Sequence, residues 1–476
     1  GAYANISAFY VLAASSEGRA ILGDLLHRNR KLASGIRAEV LTRARAESAG
    51  AVANASALYF LAGSPDGRKI LRLLLQRNPK LALGVSAEAL TLVRPASADA
   101  AANTSALYYL ALSDEGCEIL QTLLERNRKL AFDIRAEALT LALTASAYPH
   151  ENTSVLYWLA ESAYGHEILR LLLQRNPKLA LGISGEALTR MLPDSAGDLG
   201  STSALYYLAA NRDGRLILQS LLERNPKLAL DISGEALTRA RPASAGGDAN
   251  TSALYLLVAV SGCEILQMLL ERNPKLALDI SGEALTRARP ASAGGDANTS
   301  ALYLLVAVSG CEILQMLLER NPKLALDISG EALTRALPAS AGVGAKTSAL
   351  YFFSATSYGR AVLQLLLKLN PQLALDISAE ALTLVLPASA GAAYANTSAL
   401  SCLAGSPEGR DLLSQLYKAQ PRLKEELSSL NTGHAQSIST SSSTVGLFST
   451  STSSSSMSSL DASGSVSQGS TTKRTP

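Results

Sequence analysis

The sequence predicts an all-α solenoid in which nine helical units stack in tandem, followed by a disordered C-terminal tail. Three observations predict it. The segment 103–147, NTSALYYLALSDEGCEILQTLLERNRKLAFDIRAEALTLALTASA, returns along the chain with its first residue at 5, 54, 103, 152, 201, 250, 298, 346 and 396. A fixed period of this length marks an array in which each unit buries its apolar face against its neighbours. Hydrophobic residues make up 47% of the chain and aromatics only 5%, so Leu, Ala and Ile must build the core, as in helical repeats. Beyond residue 430 the composition turns to Ser, Thr and Gly, which cannot bury enough apolar area to offset the entropy of ordering; 431–476 is therefore expected to be disordered.

Within the array, 1–430, unit three shows the expected elements in order. Asn103, Thr104 and Ser105 are good N-caps, and the apolar run after them predicts a first helix of about ten residues, ended by Gly116. A second helix is predicted from Glu118 to about Arg126, with Ile119, Leu120, Leu123 and Leu124 forming a stripe wide enough to be buried between two units. Asn-Pro, as in Asn225-Pro226, turns the chain. A shorter third helix follows in unit five, with Asp231 and Ser233 as caps, Glu235 early and Arg239 late, in accord with the helix dipole. The Pro/Ala/Ser/Gly segment that closes each unit is turn chemistry. Three helices and one loop per unit are expected.

Units six and seven differ only at Arg289 versus Leu337, Gly295 versus Val343 and Asp296 versus Gly344, and each lacks one residue between the first-helix leucine and the glycine. Unit nine departs from the pattern at Ser401 and Ala419 and adds Lys424, Glu425 and Glu426, as a terminal capping unit should. The chain opens on Gly1 inside a repeat-like segment, which reads as a fragment or a processed product.

The Thr-Ser-Ala-Leu-Tyr, Gly, Ile-Leu-x-x-Leu-Leu and Asn-Pro elements resemble the ankyrin repeat over the first half of every unit. Tyr replaces the ankyrin His, and the period is longer than the ankyrin one. The resemblance implies nine ankyrin-like units binding a protein partner along one face, without catalysis. In style rather than in motif the chain also resembles secreted effectors of bacteria that live inside eukaryotic cells, which implies a role in the host cytosol.

Tyr10, Tyr59, Tyr108, Tyr157, Tyr206, Tyr255, Tyr303 and Tyr351 share one repeat position. They are read as rings packed between units with their hydroxyls bonded, rather than as a gripping stripe. The next position varies, and Phe60, Tyr109, Trp158, Tyr207 and Phe352 are its candidate protein-binding residues, Trp158 being the foremost anchor. An Arg ladder (Arg28 to Arg320) and a Glu ladder (Glu39 to Glu380) are expected to pair with each other or to cap helix ends. The Asn-x-Ser sequons at unit starts are read as helix caps.

Forty-three Lys plus Arg against 40 Asp plus Glu give a net charge of +3, spread through the repeats. Duplex binding needs a concentrated basic face, so no nucleic-acid partner is expected, and a nucleic-acid-reading array is the least favoured reading. No apolar run reaches the roughly 20 residues of a bilayer span, so no membrane insertion is expected. Cys117, Cys263, Cys311 and Cys402 are expected to be free thiols in a reducing cytosol, since stacked equivalents lie too far apart for a disulfide. His27, His150, His166 and His434 recur beside no carboxylate or thiol at ligand spacing, and no phosphate loop or nucleophile elbow is present, so neither enzyme activity, metal nor cofactor is expected. The expected function is a monomeric, non-catalytic protein-interaction scaffold. The competing reading makes it the targeting array of an enzyme whose catalytic domain precedes residue 1.

Overall fold

The computed structural model describes residues 7–46, 53–95, 98, 102–143, 151–259, 262–308, 310–387 and 395–438. The described residues are helical and contain no strand. Nine units stack in order, each leaning on the next, as the period predicts.

Each complete unit carries four helices rather than three. In unit three these are Ala106–Ala111, Asp114–Arg126, Arg128–Asp133 and Ala136–Thr140. Ser105 caps the first by accepting the N–H of Tyr108, 3.1 Å away. Asn103 is not a cap. It sits at φ 63°, in the left-handed region that Asn tolerates, and its Nδ2 donates to the carbonyl of Ala142 at 3.1 Å. The third helix expected behind Ser233 is the fourth, Gly234–Thr238, which Ser233 caps by accepting the N–H of Ala236 at 3.2 Å; the added one is Leu228–Asp231, in which Asp231 is the last residue and not a cap.

Gly116 does not end the first helix; it lies in the first turn of the second. Ser113 caps that helix by accepting the N–H of Gly116 at 3.2 Å. A Cβ on Gly116 would overlap the carbonyl of Leu110, so the glycine is there to let the two helices meet closely. Units six and seven are one residue shorter, and their second helices start later, at Cys263 and Cys311 behind Gly262 and Gly310.

The second helix buries the predicted stripe, with Ile119, Leu120, Leu123 and Leu124 all in the core. First helices stack on first helices and second on second, while each fourth helix packs against the first and third helices of the next unit. In units four to seven the closing loop forms a 3-10 turn, such as Ala243–Asp248, and these turns also stack. The last helix, Pro421–Ile438, passes the expected array border at 430, and 439–476 lie outside the described residues. No single helix among the described residues is long and apolar enough to cross a membrane.

Candidate functional site

The rings singled out in the sequence lie along the first helices. Tyr108 donates to or accepts from Thr153 of the next unit at 2.8 Å, and the same bond recurs from Tyr59, Tyr157, Tyr206, Tyr255, Tyr303 and Tyr351. Burial pushes the Tyr108 hydroxyl up to about 12, so it stays neutral. The variable position packs edge-on against the preceding unit's tyrosine: Phe60 on Tyr10 at 5.5 Å, Tyr109 on Tyr59 at 5.2 Å, Tyr207 on Tyr157 at 5.4 Å and Phe352 on Tyr303 at 5.6 Å. Those four rings are half-buried. Trp158 is a core side chain, 3% exposed, and its Nε1–H donates to the Tyr108 hydroxyl at 3.0 Å. The rings form a seam between units, and Trp158 offers no surface to a partner.

The Arg ladder caps helix ends across unit boundaries. Arg126 donates Nη1 to the carbonyl of Leu75 at 2.7 Å, and Arg77, Arg175, Arg224, Arg272 and Arg320 reach the matching carbonyl in the unit before. The Glu ladder takes other partners. Glu186, Glu283 and Glu331 bind the Arg four residues on, at the C-cap of the same short helix, at 2.6 to 2.8 Å.

Beside the Arg ladder runs a row that the sequence reading passed over. Lys31, Lys80, Lys129, Lys178, Lys227, Lys275 and Lys323 occupy one repeat position, and all seven are exposed. Each lies just past the C-terminal end of a second helix, three residues from the ladder Arg. The apolar residue three positions further on, such as Leu83, Phe132 or Leu181, is about 60% exposed and gives this edge an apolar lip. Over the strip from the last turn of the second helix to the end of the third, cations outnumber carboxylates in each of units one to four and balance them in units five to eight. Net charge averages over the whole chain, which is why +3 concealed a local basic edge.

The outward face of the second helices adjoins this edge. Its residues vary from unit to unit: Arg72 and Gln76, then Gln121 and Glu125, then Arg170 and Gln174, then Gln219 and Glu223. Gln121 donates to Glu125 at 2.9 Å, and Arg72 bonds Glu118 of the next unit. Between units four and five the face opens into a cleft of about 240 Å³ lined by His166, Arg170, Gln174, Asp213, Ser220 and Arg224. His166 Nε2 lies 2.7 Å from the carbonyl of Ala160, and burial holds its pKa below the usual value.

All four cysteines are free, and burial pushes the Cys117 thiol up to about 12. Among the described residues no group of three or more His, Cys, Asp or Glu is placed to hold a metal ion.

No protein-family model and no curated protein matches this chain. Solved structures do. A Puf4 double mutant bound to the Cox17 RNA 3′ UTR recognition sequence is 16% identical, with a TM-score of 0.26, over 87% of this chain and 99% of that one. PUF-8 in complex with PBE-RNA is 11% identical, with a TM-score of 0.22, over 88% of this chain and 96% of that one. The chain is a helical-repeat solenoid by its own architecture, and these two neighbours are PUF proteins, where the sequence reading expected an ankyrin-like array. Both of these structures hold RNA, where the sequence reading expected a protein partner and no nucleic acid.

Proposed function

We propose that the array binds single-stranded nucleic acid, its phosphates following the basic edge and its bases meeting the outward face of the second helices. The observation that carries this reading is the row of seven exposed lysines, one in each of units one to seven, at a fixed position beside the ladder Arg. A repeating cation along a groove is what tracks a phosphate backbone, and the variable Gln, Arg, Glu and Ser side chains beside it are of the kind that hydrogen-bond base edges. The excess of cations in units one to four favours stronger phosphate contacts in that half.

Anisotropy of a labelled single-stranded RNA titrated with the protein across a salt series tests it. About four engaged phosphates give a slope of log affinity against log salt of about −2.8, and each of Lys80→Gln and Lys178→Gln removes about 0.7 of it. Lys275→Gln in the balanced half should change the slope less. Absence of binding at low salt, or a slope that the lysine variants leave unchanged, overturns the reading.

A further inference from the structure

The apolar lip beside the lysine row is a row in its own right. In units five to eight it is Leu230, Leu278, Leu326 and Leu375, at one repeat position near the end of the third helix, and these are 59%, 60%, 62% and 47% exposed. One exposed leucine is ordinary. A leucine repeated in register along one edge makes an apolar strip of the kind that marks an interface.

The charges around the strip narrow the choice of partner. Asp231, Asp279, Asp327 and Asp376 directly follow the four leucines, and Lys227, Lys275 and Lys323 stand three residues ahead of theirs, at the other end of a single helical turn. All are exposed, and none enters an ion pair among the described residues. In units two and four a glycine, Gly84 or Gly182, holds the place of the aspartate. The carboxylates repel an anionic occupant, whether a bilayer surface or a nucleic-acid backbone, so the strip in units five to eight suits a partner that carries leucines and both signs of charge at the same spacing. A second copy of this chain has that spacing by construction.

We propose that the leucine strip of units five to eight joins two copies of this chain, face to face and parallel. With the twofold axis running along the arrays, like units meet and each leucine packs on its own equivalent. The axis turns the third helix end for end, so Lys275 faces Asp279 of the second copy while Asp279 faces Lys275 of the second copy. The same exchange recurs at Lys227 with Asp231 and at Lys323 with Asp327. Units one to four, whose strips carry excess cations, repel their equivalents and stay free. Four leucines a side lie at the small end of specific interfaces, so the dimer is a reversible one. The inference stands apart from what the basic edge binds.

Sedimentation velocity of the full chain, freed of nucleic acid, from about 1 to about 100 μM tests it. The sedimentation coefficient should rise with concentration toward that of a dimer and no further. Leu278→Glu with Leu326→Glu should raise the dissociation constant by about tenfold or more and leave the thermal melt of the dilute chain unchanged, since both side chains are exposed. Two charge variants fix the arrangement: one carries Lys227→Glu, Lys275→Glu and Lys323→Glu, the other Asp231→Lys, Asp279→Lys and Asp327→Lys. Each alone should stay monomeric, because like charges then face each other, and an equimolar mixture of the two should give a heterodimer. A parent chain that stays monomeric up to about 100 μM overturns the proposal, as does association that the leucine variant leaves unchanged. Charge variants that each dimerise as the parent does would show that like units do not meet, and that also overturns it.

Discussion

Leu, Tyr and Thr positions hold this molecule together by repetition, and the exceptions among them carry information. Trp158 replaces a smaller ring at a seam and is both buried and hydrogen-bonded. Trp158→Ala should cost about 3–5 kcal/mol in urea unfolding, while salt-dependent RNA binding by the folded fraction is unchanged. His166 stands where units one, two, five, eight and nine carry Arg19, Arg68, Arg215, Arg360 and Arg410. Those arginines donate to a carbonyl six residues back, as Arg215 does to Ala209 at 3.0 Å, and neutral His166 meets the matching carbonyl of Ala160. Because burial lowers its folded pKa, the unfolded state binds the proton more readily. Stability from this site is thus present above pH about 6.5 and falls as the pH drops through that value toward the folded pKa. His166→Arg should flatten the fall in melting temperature between pH 7 and pH 5, a comparison that thermal denaturation at the two pH values makes directly.

At the scale of the helix, two glycines separate the roles that one residue type can play. Gly116 has the carbonyl of Leu110 where a Cβ would go, so Gly116→Ala should cost about 2 kcal/mol or more. Gly23 lies within the second helix of unit one with nothing near its missing Cβ, so Gly23→Ala should stabilise by about 0.5–1 kcal/mol. Urea midpoints of the two variants should move in opposite directions. The same comparison shows what could be read from sequence. The Leu/Ile stripe and the Ser cap are local patterns, and both stood in the structure where the sequence put them. Gly116 was misread as a stop because a glycine after a helical run signals a helix end unless a neighbouring carbonyl is known to press on it. The partner of Arg126 was invisible because it is the carbonyl of Leu75, 51 residues away. The lysine row was missed because its meaning is in its alignment across units, which a sum over charges erases.

For the whole molecule, stability is a chain of nearest-neighbour seams, and the seams are unequal. Units six and seven have second helices of ten residues, against 13 in unit three. Exchange of amides in 263–272 and 311–320 should therefore outpace that in 114–126, as mass-resolved exchange can measure; equal protection in all three would mean that seam packing outweighs the shorter helix. Unfolding should be broad, with the two ends losing structure at different denaturant concentrations.

The one tryptophan then acquires a use of its own. Because its indole is enclosed between units three and four, its emission is a reporter of that single seam and of nothing further along the stack. A fluorescence melt and a circular-dichroism melt of this protein should not superimpose, and the gap between the two curves is an optical ruler for how far a break in one seam travels before the rest of the stack follows.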